Sequence, residues 1–254
     1  MSDKMTAKKE EQQAALPIVA EETYVFLDPA LDMAGLILDN LGNEPLDRFS
    51  LTTIHVPTGG STTWVIPGLR GEEETKELTG VIVAFNREKA YWKQPFGSDT
   101  GAPPDCKAPD AQVGMGDPGG PCLKCPNNQF DTKPLTGGGL GTGKACRDQV
   151  VLLLMREKTH LPICVIVPPT SINNFKTYRT NLVQEAYSRA QAVTKMTLVK
   201  VQNKTGIPYG EINFELVGLI RDDRVPTVKQ FTAMFEPAMK GALPAPAEKP
   251  QITE

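Results

Sequence analysis

The sequence predicts a mainly β protein of the α+β kind. Three observations carry that expectation. Short β-branched and apolar runs recur from Leu78 onward between turn residues, one stretch of clear helical spacing falls among them, and four cysteines occupy a Gly- and Pro-rich stretch that interrupts the runs. At 254 residues, with 40% hydrophobic and 22% charged side chains, the chain can bury one substantial core, or a core with a small satellite.

Residues 1–22 are charged, Ala/Gln-rich and aperiodic, which predicts a disordered arm. Leu31, Met33, Leu36, Ile37 and Leu41 predict a short helix ending near Gly42-Asn43. Residues 49–56 and 61–66 read as a hairpin across Pro57-Thr-Gly-Gly60, with Glu72-Glu-Glu74 as a polar connection; residues 23–77 are thus a helix and hairpin extension. The main domain, residues 78–222, opens with a strand at 78–85, a turn at Asn86-Arg-Glu-Lys89 and the short run Ala90-Tyr91-Trp92. After the cysteine-bearing insertion, residues 97–147, come strands at 149–155 and 161–167 about a polar turn at 156–160. Pro168-Pro169 stops the second, Thr170 or Ser171 offers a helix N-cap, and Phe175, Tyr178, Leu182 and Ala186 recur at helical spacing. Strands at 196–202 and 212–220 follow, and residues 223–254 hold a short helix, 228–239, and a Pro-rich disordered tail. Five strands with one helix between the third and fourth is the order of an OB-fold, a small barrel that binds oligonucleotides on one face.

The cysteines run Cys106-x15-Cys122-Leu-Lys-Cys125-x20-Cys146, and Cys164 stands apart in an apolar run that makes it a buried, inert thiol. A C-x2-C pair turns two thiolates toward one point, and two more complete a tetrahedral Zn²⁺ shell. The loops between them cannot build a hydrophobic core, so a metal would have to organise them. Disulfides or merely buried thiols are the alternative. No h-region of a signal peptide opens the chain and no apolar run approaches a membrane span, so the expected setting is a reducing cytoplasm without a membrane partner. We therefore expect a structural Zn²⁺ on Cys122, Cys125, Cys146 and Cys106, with His55 or His160 as substitutes for the fourth ligand.

The net charge of −3 hides an uneven distribution. Residues 1–50 carry four basic and ten acidic side chains, whereas residues 140–205 carry ten basic against three acidic. A basic middle is the footprint of a polyanionic partner, or simply a solvated face. Gly138-Gly-Leu-Gly-Thr-Gly143-Lys144 satisfies G-x4-G-K, but Ala145 replaces the hydroxyl that would hold Mg²⁺ and no buried strand leads into it. The loop is read instead as one presenting Lys144 and backbone N–H groups to a phosphate. Two histidines outside any H-E-x-x-H or H-x-E pattern, no paired carboxylates and a closed four-thiol shell all argue against an enzyme. Single-stranded nucleic acid needs cations and aromatic platforms, with stacking contributing about 1–3 kcal/mol per base. Tyr91 and Trp92 lie between Lys89 and Lys93, and Trp64 follows a Gly-Gly turn; Arg147, Arg156, Lys158, Lys195, Lys200 and Lys204 supply further cations.

A zinc ribbon inserted between the first two strands of an OB-fold resembles the C-terminal DNA-binding domain of the large subunit of replication protein A, and is similar to some phage single-stranded-DNA-binding proteins. The segments Cys122-Leu-Lys-Cys125-Pro-Asn-Asn-Gln-Phe130 and Gly141-Thr-Gly-Lys-Ala-Cys146-Arg147 resemble a motif of phage and mobile-element proteins. The resemblance spans residues 78–222; the acidic net charge and irregular cysteine spacing depart from it. It implies a non-enzymatic single-stranded-DNA-binding protein of replication or recombination in a bacterial or phage-infected cell. Zinc would hold one wall of the groove, and the acidic tail would recruit replication or recombination proteins. A protein–protein adaptor and an RNA-binding protein are the alternatives.

Overall fold

The computed structural model describes residues 16–18, 24–28, 32–42, 44, 50–93, 103–135, 137–203 and 206–239. Most of the expected arm, Phe49, residues 97–102, Lys204 and the tail beyond residue 239 lie outside the described residues. The protein is mainly β with a few helices. In chain order the elements are α1 (Met33–Leu41), β1 (Thr53–His55), β2 (Trp64–Gly68), β3 (Gly71–Thr75), β4 (Glu77–Tyr91), β5 (Cys106–Ala108), β6 (Val113–Gly116) and β7 (Gly120–Pro121). They continue with β8 (Lys133–Pro134), β9 (Leu140–Gly141), β10 (Arg147–Met155), β11 (Ile163–Val167), α2 (Ile172–Gln184), β12 (Ala192–Gln202), β13 (Pro208–Leu219) and α3 (Val225–Met239). No helix among the described residues is long and apolar enough to cross a membrane.

One mixed sheet organises the molecule. Its strands run β1-β11-β10-β4, and at β4 the sheet forks. Residues 77–81 of β4 pair with β12, which pairs with β13, while residues 89–91 on the same edge pair with β5, which leads to β6 and β7. The sheet does not close: β11, whose free edge would complete a barrel, takes β1 as a parallel partner instead.

Both faces of the sheet are covered, which is why Val150–Leu154 reads as an unbroken apolar run rather than an alternation. Val151, Leu153, Met155, Cys164 and Val193 point to one core, under Tyr24, Phe26 and the α3 residues Val228, Phe231, Phe235 and Met239. Val150, Leu152, Leu154, Val165 and Met196 point to the other, under Trp64 and the α2 residues Phe175, Tyr178 and Leu182. Tyr178 hydrogen-bonds Thr194 at 2.7 Å across that second core. Ser171 stands at the N-cap of α2, but its hydroxyl accepts from the Ile212 N–H at 2.9 Å and so fastens the helix to β13. Ala186, expected on α2, lies past its end at φ 61°.

Three expectations are corrected. The hairpin lies one strand later, between β2 and β3, and Glu72-Glu-Glu74 is a strand rather than a connection. Gly59 and Gly60, at φ 70° and 73°, send the chain across β13 instead of back along β1. Residues 86–89 are no turn: β4 is one strand of 15 residues, its polar stretch held in the ladder to β10. The arm is also tied down locally, since Ile18 bridges Leu219 and the Leu219 N–H donates to Pro17 O at 3.0 Å.

Candidate metal centre and nucleic-acid interface

The far end of β4 and the start of β10 extend past both cores and carry the cysteine module. Cys106 opens β5 directly opposite Tyr91. Cys122 begins a one-turn 3₁₀ segment, and the Cys125 N–H returns to Cys122 O at 3.3 Å, bringing the C-x2-C pair around one turn. Asn128 fastens that turn through Nδ2 to Cys122 O at 2.8 Å, and the Cys146 N–H donates to Asn127 O at 2.7 Å, drawing the start of β10 to the same loop.

The four cysteines line one cavity of about 10 Å³, room for a single water-sized body. All four are free thiols, so the disulfide alternative is not what this geometry holds. Gly114 belongs to the wall because nothing larger fits: a Cβ there would lie 2.7 Å from Cys106 Sγ. Burial raises the Cys122 thiol and pushes Cys146 up to about 11, while the Lys89 ammonium pulls both down. A bound cation would override that penalty by favouring thiolate. As they stand, no three or more His, Cys, Asp or Glu side chains among the described residues are grouped as metal ligands. The donor chemistry of the cavity, four thiols and no carboxylate or imidazole, fits Zn²⁺. Neither His55 nor His160 lines it.

Two cation–aromatic pairs lie in the segments that carry the cavity: Trp92 follows Tyr91 and Arg147 follows Cys146, while Phe130 and Lys144 fall between Cys125 and Cys146. The Arg147 guanidinium lies 5.1 Å from the centroid of the half-buried Trp92. Lys144 Nζ lies 5.2 Å from the ring of Phe130, which is 70% exposed. Phe130 was not singled out in the sequence because Lys144 is distant along the chain. The β8–β9 hairpin brings them together, and just beyond it the Lys133 N–H donates to Gly143 O at 2.9 Å. Tyr91, half-buried, lines the cavity itself.

The remaining expected contacts are distributed differently. Trp64 is fully enclosed in the second core, so it offers no face to a base, and its stacking role is withdrawn. Lys89 is ion-paired with Asp148 and donates to Asn128 Oδ1 at 3.1 Å. Lys93 pairs with Asp117 at 2.5 Å, Lys144 with Asp148 at 3.5 Å, and Lys195 with Glu215 at 2.8 Å. Arg156 makes a two-bond pair with Glu73. Each of these side chains has a carboxylate of the protein beside it, which a phosphate would have to share or displace. Lys158 and Lys200 are exposed. Comparison of the chain with protein-family models, with curated proteins and with solved structures found no match.

Proposed function

We propose that the chain is a non-enzymatic single-stranded-DNA-binding protein of replication or recombination, with a structural Zn²⁺ on Cys106, Cys122, Cys125 and Cys146. The observation that carries this reading is the pair of cation–aromatic contacts, Trp92–Arg147 and Phe130–Lys144, in the segments that carry Tyr91 and the cysteines of the cavity. Aromatic faces with guanidinium or ammonium groups at their side are what successive unpaired bases and their phosphates require, whatever the base sequence. The strand order agrees with it: β4, β10, β11, β12 and β13, with α2 after the third, follow an OB-type barrel opened between β11 and β13. In this reading the metal fixes the spacing of the platforms and takes no part in chemistry.

Metal quantification alongside titration with oligo-dT tests the proposal. The wild type is expected to hold one zinc per chain and to bind oligo-dT with strong salt dependence. Cys125→Ser should lose both the metal and most of the affinity. Absence of binding at low salt overturns the reading, and tighter binding of a matched RNA oligomer redirects it to RNA. One observation favours an adaptor instead: Leu123, Met115 and Val113 of the module are 85%, 57% and 53% exposed, an apolar surface of the kind protein partners use.

A further inference from the structure

Among the described residues, the fork in the sheet leaves the β4 edge between residues 82 and 88 without a strand partner, between the β12 branch and the β5 branch. Two arginines meet one ring there, and a third lies on the same face of the strand. The Arg179 guanidinium, from α2, lies 4.5 Å from the centroid of Phe85 and 4.8 Å from that of Phe175. The Arg189 guanidinium lies 5.7 Å from Phe85 and donates through Nη1 to Ile82 O at 2.8 Å, using a carbonyl that the missing strand would otherwise engage. Arg87 is two residues beyond Phe85, hence on the same face of β4, and is exposed. Its charge, together with the larger effect of burial, disfavours the charged form of Arg179.

Bringing like charges together costs free energy that an opposing carboxylate relieves, as Asp148 does for Lys89 and Lys144. Among the described residues, Arg87 and Arg179 have none. Moreover, Arg179 Nε is sealed from solvent without a hydrogen-bond acceptor, a buried donor left unsatisfied. Such a cluster suits an anion with several acceptor oxygens. Planar guanidinium donors above an aromatic ring match a phosphate better than a halide or a single carbonyl.

We propose that Arg87, Arg179 and Arg189 form a phosphate-binding site at the fork of the sheet, on the face of β4 that continues through Lys89 to Tyr91. Resting on the single-stranded-DNA reading for its source, the phosphate is a backbone phosphodiester of the strand that stacks at the cysteine module. The site then extends the nucleic-acid track from the module toward α2. Inorganic phosphate shares the chemistry and serves as the independent probe.

The test follows the arginine Nε–H resonances by NMR during titration with inorganic phosphate, against chloride at the same ionic strength, and in parallel measures oligo-dT affinity over a range of salt. Phosphate should move the Arg179 Nε–H saturably, and Arg87→Ala, exposed and so without consequence for folding, should weaken that response about tenfold. For oligo-dT the same variant should reduce the salt slope by about 0.7, the value of one phosphate contact on a single strand. A phosphate response with unchanged oligo-dT binding in the variant assigns the site to free phosphate. A reduced oligo-dT slope without a response to phosphate assigns it to the polymer. If phosphate moves no arginine resonance and Arg87→Ala binds oligo-dT with wild-type affinity and slope, the site is refuted while the DNA reading stands. If wild type fails to bind oligo-dT yet responds to phosphate, the site stands and the DNA reading falls.

Discussion

Arg156 and Glu73 meet between the end of β10 and the β3 ribbon through two guanidinium–carboxylate bonds of 3.0 and 2.5 Å. The hydrogen bond from Arg156 holds the Glu73 carboxyl below its ordinary range, against the opposing effect of partial burial. A carboxyl whose folded-state pKa is depressed adds stability that is complete above its unfolded pKa and is lost as pH falls through the folded value. Because Glu73 is 52% exposed, the contribution is small, about 0.5 kcal/mol. Glu73→Gln should thus be slightly less stable than wild type at pH 7 in urea unfolding, and the two should converge as pH falls through the depressed Glu73 value. A gap unchanged with pH would assign Glu73 a packing role instead. The two tryptophans make a second residue-level prediction. Trp64 is enclosed, whereas Trp92 sits half-exposed against Arg147. Oligo-dT should therefore quench fluorescence that Trp92→Phe abolishes, and quenching retained in that variant would remove Trp92 from the interface.

Among the elements, α3 is the one whose importance composition understates. Read from sequence it is a short helix before a tail, yet Phe231 and Phe235 pack with ring centroids 5.0 Å apart, and Phe231 meets Phe26 at 4.8 Å. With Phe235 1% exposed, Phe235→Ala should cost about 3–5 kcal/mol in urea unfolding, and a loss below 1 kcal/mol would make the helix peripheral. The strands from β10 to β13 and both later helices were legible because apolar spacing and Pro punctuation are local signals. β4 was legible only in its first half. Asn86-Arg-Glu-Lys89 has the composition of a turn, and only tertiary partners make it a strand: Glu88, 1% exposed, is held by Gln149 and lies 3.7 Å from Lys107, and Lys89 is held by Asp148. That misreading hid the row Phe85, Arg87, Lys89 and Tyr91 on one face, since period-two alignment appears only once the strand is continuous. The cysteine spacing did lead to one cavity, because a turn such as Cys122–Cys125 is itself local.

At the scale of the whole molecule, the cysteine module and the body of the protein draw their stability from different sources. Neither hydrophobic core includes any of the described residues between 103 and 149; the body is held by apolar packing on both faces of the sheet. The module instead has short two-residue ladders at β7, β8 and β9, backbone bonds around the thiols and a cavity lined by four cysteines. Such a segment buries too little apolar surface to order itself, so its folding free energy should come from the proposed Zn²⁺. Removing the metal with a chelator should then melt the module alone. Hydrogen exchange at the amides of residues 106–146 should accelerate strongly, while those of β10, β11 and β12 stay protected and the main thermal transition moves by only a few degrees, roughly. Oligo-dT affinity should fall with the module, because Phe130 and Lys144 are carried on it, whereas the arginines at the fork belong to the body and should keep their response to phosphate. Cooperative unfolding of the whole chain on chelation would contradict this division. Unchanged exchange in the module would mean that backbone bonds and packing hold the thiols without any metal.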